Sequence, residues 1–218
     1  PEYIYTYDIE GAQNVPQFLE IIKDKSIVVT EKLEGMHISC TIDKNGYFHV
    51  CSRNYRIEAV PGEFNTWLDT VARLGIESKM REYCKLFEGE GHTFTLRGEL
   101  IGPGSQDNYY ELKETDIYWF EFERNGEPMC AGRFFGDKRF TDLGFKHVPI
   151  LAYRWTCKDV FPEGIKLYAD GQSVINNKKL REGMVVKLET EEKEKLHRKL
   201  KRNFIKFRSL KYLDKTEH

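Results

Sequence analysis

Val29-Thr30-Glu31-Lys32-Leu33-Glu34-Gly35 runs without a gap into Met36-His37-Ile38-Ser39-Cys40-Thr41-Ile42, and the reading of this stretch decides the fold. Ile27 to Thr30 and Met36 to Ile42 carry the period-two alternation and β-branched content of strands. A third run of the same kind, Tyr47 to Ser52, follows the turn Asp43-Lys44-Asn45-Gly46. Asn-Gly adopts positive φ at little cost, so the second and third runs read as a hairpin. Gly35 lets the chain bend away after the first strand, which leaves Lys32 near a strand end. An isolated Lys-x-Glu-Gly also describes an ordinary exposed lysine at the end of a strand, so its meaning depends on the rest of the chain.

Working outward, Pro16 to Lys25 has a proline near its start and Phe18, Leu19, Ile21 and Ile22 at helical spacing, which predicts a short amphipathic helix. Glu63 to Leu74 and Lys79 to Phe87 predict two more helices, broken at Gly75 and ended near Gly89 and Gly91. Trp67, Leu68, Val71 and Leu74 form an apolar stripe that belongs to the core. Further strands are predicted at Thr93 to Ile101, Ile117 to Glu123, Met129 to Phe135, His147 to Ala152, Met184 to Leu188 and Phe204 to Phe207. Strand dominates, and no repeat or Pro/Ser-rich linker interrupts the chain. The expectation is one α+β domain over residues 1–218, rich in antiparallel sheet with flanking helices.

Composition bounds the function classes. With 218 residues, 40% hydrophobic and 32% charged, the chain can bury one sizeable core and reads as soluble and globular. No apolar run approaches the roughly 18 residues a membrane helix needs, and Pro1-Glu2-Tyr3 does not begin a leader, so no membrane association is expected. Cys40, Cys51, Cys84, Cys130 and Cys157 are odd in number, spread out and never in a C-x-x-C pair. That pattern indicates neither a disulfide framework nor a zinc site and fits an intracellular setting, cytoplasmic or nuclear. The net charge of −1 excludes a uniformly basic nucleic-acid binder. Cations gather late, at Lys193, Lys195, Arg198, Lys199, Lys201, Arg202, Lys206, Arg208 and Lys211 against Glu194 alone. A solvated helix face and a phosphate track both fit that tail.

Three further strings follow the first in order: Arg97-Gly98-Glu99-Leu100, Glu182-Gly183-Met184-Val185-Val186-Lys187 and Ile205-Lys206-Phe207-Arg208. Together the four resemble motifs I, III, IV and V of the covalent nucleotidyltransferases, the superfamily of polynucleotide ligases and mRNA capping enzymes. The resemblance implies a nucleotidyltransferase domain of the ATP-grasp-like ligase type with Lys32 as nucleophile. Such chemistry needs a nucleophile, cations over the triphosphate, and carboxylates for a metal or the ribose. A free lysine has a pKa of about 10.4, so Lys32 must be activated, and Lys187, Lys206 and a bound metal would disfavour its protonation.

Alternation puts Arg97 and Glu99 on one strand face and Leu100 on the other; the resemblance gives Glu99 the ribose. It gives Glu182 the metal, through water, and Lys187 a phosphate. Lys206 and Arg208 share a face and would hold the α-phosphate, with Phe207 in the core. Arg208 departs from the lysine common in ligases, keeping the charge but changing the geometry. Ser52-Arg53-Asn54 matches motif Ia, which implies that Arg53 meets the ribose or the acceptor strand. Alternation groups Tyr118, Phe120 and Phe122 on one face, and Phe120 aligns with the family aromatic that stacks on the purine.

Longer strings, Gly98 to Asn108 with its Gly102-Pro103-Gly104 loop and Ala169-Asp170-Gly171-Gln172-Ser173 leading to Glu182-Gly183, look like RNA ligases. The resemblance is to the Naegleria- and Deinococcus-type ATP-dependent RNA ligases, in which an OB domain precedes the nucleotidyltransferase domain. That OB domain is absent from this chain, and a start without Met and an end just past the fourth string fit an isolated catalytic domain. In such relatives Glu31 lies near the adenine, favouring ATP over GTP, and Glu34 replaces the commoner aspartate. The implied activity joins RNA 3′-OH and 5′-phosphate ends through lysyl-AMP and an AMP-capped end, with ATP and Mg²⁺ or Mn²⁺, in a monomer serving RNA repair. A DNA ligase or a capping guanylyltransferase is the alternative of the same class. A non-catalytic RNA-binding module is the alternative of another class, and intact Lys32, Glu99, Glu182, Lys187 and Lys206 count against it.

Overall fold

A computed structural model describes residues 8–87, 91–161, 168–190 and 203–216. Residues 191–202, which hold most of the basic tail, lie outside them. The strands are β1 (Ser26–Lys32), β2 (Met36–Ile42), β3 (Phe48–Cys51), β4 (Phe94–Ile101), β5 (Asp116–Arg124), β6 (Glu127–Pro128), β7 (Lys146–His147), β8 (Ile150–Thr156), β9 (Gly183–Leu188) and β10 (Phe204–Arg208). Mixed helix and antiparallel sheet agree with the α+β expectation. The chain divides into two compact units.

One unit comprises Asp8–Glu34, Cys130–Gly136 and Val148–His218. Its sheet has the order β10-β9-β1-β8, all antiparallel. Alternation gives each strand one apolar face: Ile27 and Val29, Met184, Val186 and Leu188, Ile205 and Phe207 fall together in the buried cluster. The helix Phe18–Ile22 closes over that cluster with Phe18 and Ile22 fully buried. The opposite face carries the charged residues, and this division of faces is what positions the site.

Met129 to Phe135, predicted as a strand, is the helix Ala131–Gly136. Ala131, Gly132, Phe134 and Phe135 are buried while Arg133 is exposed, a helical spacing that a short, mostly apolar stretch does not distinguish from a buried strand. The amide of Gly132 donates to the Glu189 carbonyl at 2.8 Å, fastening the helix next to the end of β9. The predicted strand from His147 to Ala152 is likewise split, with β7 ending before Pro149 and β8 starting after it. Proline has no amide to give a ladder, while its carbonyl accepts from Glu31 N at 2.8 Å.

The other unit comprises Gly35–Met129 and Asp137–His147. Its sheet runs β3-β2-β4-β5-β6, with β7 parallel to β5. The expected hairpin is closed by Asp43, whose Oδ1 accepts from Asn45 N and Tyr47 N at 2.9 and 3.0 Å, and by Gly46 at φ +83°. Asn65 caps the helix Thr66–Arg73, accepting from Trp67 N and Leu68 N, and Gly75 at φ +62° turns the chain into the helix Ile76–Cys84. Of the predicted stripe Val71 is buried and Trp67, Leu68 and Leu74 are half-buried. The core here is aromatic: Tyr83 meets the rings of Phe87, Phe122 and Phe140 at 5.1–5.2 Å and gives its hydroxyl to Asp137. All five cysteines are free, and no helix among the described residues is long and apolar enough to cross a membrane.

Candidate active site

Strand register places the candidate residues of the first unit. Lys32 pairs with Gly183 and Gly183 with Arg208; one step along, Thr30 pairs with Val185 and Val185 with Lys206; the next row is Val28, Lys187 and Phe204. Side chains in register across antiparallel strands share a face. Lys32, Lys187, Lys206 and Arg208 therefore occupy one face of a single sheet, opposite the apolar cluster. Gly183 stands between Lys32 and Arg208, and a Cβ there would run into the Phe207 carbonyl. The glycine of the Glu-Gly string is thus required by the close approach of β9 and β10.

Glu182, just before β9, is 2% exposed, and its Oε1 is shared by two cations. Lys32 Nζ forms an ion pair with it, and Arg208 Nη2 lies 3.5 Å away. Burial raises the Glu182 carboxyl above its ordinary range; Lys32 and Arg208 oppose the shift and the nearby Glu34 carboxylate adds to it. Glu34 accepts from the Tyr212 hydroxyl at 2.6 Å. Arg208 is exposed and reaches the same carboxylate as Lys32.

Lys187 is 1% exposed, and its ammonium lies 5.1 Å from the centre of the Phe135 ring and 4.9 Å from that of Phe204. It is enclosed by the helix Ala131–Gly136 and β10. Lys206 is half-buried and pairs with Asp8 Oδ1 at 3.0 Å, while its amide donates to the Glu10 carbonyl.

Glu31 falls on the other face of β1 from Lys32 and is 1% exposed. Its Oε2 accepts from Val174 N at 2.8 Å, and its Oε1 is buried with no hydrogen-bond partner. Burial raises its carboxyl, against the hydrogen bonds from Ser173 and Val174 and the charge of Arg181. The Ala169-to-Ser173 string therefore ends in a partner for Glu31, the residue next to Lys32. Its Asp170 accepts from Ser209 Oγ at 2.7 Å.

Arg53, Glu99 and Phe120 lie in the other unit. Glu99 is half-buried and pairs in register with His37 on β2 and Tyr118 on β5, while Leu100 is fully buried, as alternation required. The grouping of Tyr118, Phe120 and Phe122 on one face is corrected: Arg97 pairs with Glu121 and Gly98 with Trp119, so Phe120 is the extra residue of a β-bulge. The bulge returns Phe122 to the apolar side and brings the Phe120 ring within 6.0 Å of His37. Burial, with the charges of Arg97 and Arg53, lowers the His37 pKa to about 3. Arg53 is exposed. Arg97 is buried and forks onto Glu123 at 2.8 and 3.2 Å, with Glu121 at 3.9 Å.

Sequence reasoning missed Tyr212, Asp8 and the Arg97–Glu123 pair. Asp8 and Tyr212 lie outside the four strings, and nothing local marks them; Glu121 and Glu123 alternate on a strand, which signals a shared face but not its burial. Among the described residues no three His, Cys, Asp or Glu side chains group as a metal site, but Glu182 and Glu34 provide two neighbouring carboxylates. Magnesium and manganese commonly use one or two carboxylates and complete their shell with water and phosphate.

The RNA ligase family model matches residues 25–208. Among solved structures the chain is similar to a mutant of Naegleria gruberi RNA ligase in apo form, with 27% identity and a TM-score of 0.75 over 100% of this chain and 59% of that one. It is similar to mutants of the same ligase with ATP and Mn and with AMP and Mn, each at 27% identity and TM-score 0.74 over 99% of this chain and 59% of that one. A search of curated protein sequences returned no match. The chain thus spans 59% of the length of these ligase structures. Its family match begins just ahead of the lysine strand and ends at Arg208, and the chain belongs to the RNA ligase family.

Proposed function

We propose that the chain performs ATP-dependent RNA ligation through a covalent lysyl-AMP, residues 1–218 working as one nucleotidyltransferase domain. The observation that carries this reading is the convergence of Lys32 and Arg208 on buried Glu182, on the sheet face that also bears Lys187 and Lys206. In the first step the Lys32 ammonium gives up a proton and its nitrogen attacks the α-phosphorus of ATP. A P–N bond forms, the bond from that phosphorus to the bridging oxygen breaks, and pyrophosphate leaves. Lys206 and Arg208 hold the α-phosphate, and Lys187 adds positive charge where the transition state gains negative charge. A divalent cation, when bound, would neutralise the triphosphate, held through water by Glu182 with Glu34 beside it.

Glu99 and Arg53 take the ribose or acceptor strand and Phe120 stacks on the base. The unpartnered Oε1 of Glu31 suits the adenine amino group, since a buried acceptor gains by meeting a donor and guanine offers a carbonyl at that position. AMP then passes to an RNA 5′-phosphate, and the 3′-OH displaces it as the ends join. Naegleria gruberi RNA ligase structures with ATP and Mn and with AMP and Mn support the nucleotide and the metal. We place the protein inside the cell, as a monomer, in RNA repair.

Incubation with radiolabelled ATP or GTP and Mg²⁺ or Mn²⁺ tests the reading. A labelled protein from ATP, absent in Lys32→Ala and mapped to Lys32, is expected. Label from GTP alone would indicate a capping-type enzyme, and label from neither a non-catalytic RNA-binding module.

A further inference from the structure

We propose that Tyr212 is a positioning residue for adenylylation, holding the Glu34 carboxylate beside the Lys32–Glu182 ion pair. The inference rests on the reading of Lys32 as nucleophile and extends the machinery past the last of the four strings into the helix Leu210–Thr216. Tyr212 is 8% exposed, and its hydroxyl donates to Glu34 Oε2 at 2.6 Å across 178 residues of chain. A phenol on an ionised carboxylate is a charge-assisted bond, roughly twice the strength of a neutral one.

The start of the helix is tied to the same centre. Ser209 is fully buried; its amide donates to the Glu182 carbonyl at 2.9 Å, its hydroxyl donates to Asp170 Oδ1 at 2.7 Å, and it accepts from Tyr212 N at 3.1 Å. A ring of bonds therefore runs from Lys32 to Glu182, through Ser209 to Tyr212, and back through Glu34, two residues after Lys32. Glu34 and Glu182 are like charges close enough for the first to resist ionisation of the second. Without a donor on Glu34, that repulsion and the pull of water would turn its carboxylate away from the pair. A misplacement of about 1 Å in such a site is enough to slow chemistry severalfold to a hundredfold.

The test is single-turnover adenylylation of the full chain with radiolabelled ATP, comparing wild type, Tyr212→Phe, Glu34→Ala and the double variant. Tyr212→Phe keeps the packed ring and removes only the donor. It is expected to load AMP roughly tenfold more slowly at saturating ATP, with an unfolding midpoint within about 2 °C of wild type. In the Glu34→Ala background the same change should cost nothing further, because Tyr212 acts through Glu34. Tyr212→His, which retains an N–H donor, should recover part of the loss and provides a second route if the phenylalanine variant is unstable. A wild-type rate for Tyr212→Phe, losses that multiply in the double variant, or equal rates for the histidine and phenylalanine variants would overturn the proposal. A wild-type protein that takes no label would overturn the adenylylation reading itself, an outcome distinct from an unaffected Tyr212→Phe.

Discussion

Lys32 Nζ and Arg208 Nη2 approach one oxygen, Oε1 of Glu182, from the two strands that flank β9. In the proposed reaction the carboxylate that orders Lys32 must also release it before attack. Burial raises the Glu182 carboxyl above its ordinary range while both cations oppose the shift, and an incoming phosphate would offer Arg208 another partner.

Replacing Glu182 by alanine leaves Lys32 and Arg208 without this shared acceptor and removes the proposed metal carboxylate. Adenylylation should fall by about a hundredfold or more, with Glu182→Gln intermediate because an acceptor oxygen remains. Single-turnover labelling at saturating ATP measures this, and near-wild-type rates in both variants would place the chemistry elsewhere.

Lys187 separates charge from packing. Its stem and ammonium fill the space between Phe135 and Phe204, so Lys187→Met conserves most of the volume while removing a desolvated cation. The thermal midpoint should stay the same or rise, and AMP loading should drop at least about tenfold. A variant that folds and loads like wild type would mean that Lys187 only packs.

The Glu31 carboxyl is raised above its ordinary 4.5 by burial. Its contribution to stability is therefore present below that value and is lost as pH rises through the elevated folded value. Glu31→Gln should stabilise the protein at neutral pH, with the advantage shrinking as pH falls to about 4.5. Melting curves across that window, compared with ATP labelling, should show a more stable protein that uses ATP less well.

His37 titrates in the opposite sense. Its pKa, lowered from 6.5 to about 3, means the folded protein binds fewer protons than the unfolded chain between those values. The stability it contributes is present above pH 6.5 and lost as pH falls toward 3. Urea unfolding should show a smaller acid-side loss for His37→Gln than for wild type; equal losses would place the ring in water.

The four strings and the strands that carry them were legible in the sequence because alternation and turn chemistry are local. Ile27 to Thr30, Met36 to Ile42 and Met184 to Leu188 announce strands, and Asn45-Gly46 announces the turn between two of the early ones. Local pattern could not say that Met129 to Phe135 would coil into a helix, since a short apolar run satisfies both periods until something packs on it. Nor could it foresee the bulge at Phe120, which exists only in the pairing of β4 with β5. The meeting of Lys32 with Glu182 and Arg208, the enclosure of Lys187 and the bond from Tyr212 to Glu34 were decided by register and burial. Those depend on pairings between residues far apart along the chain, and the free energy that selects them is present only once the sheet has closed.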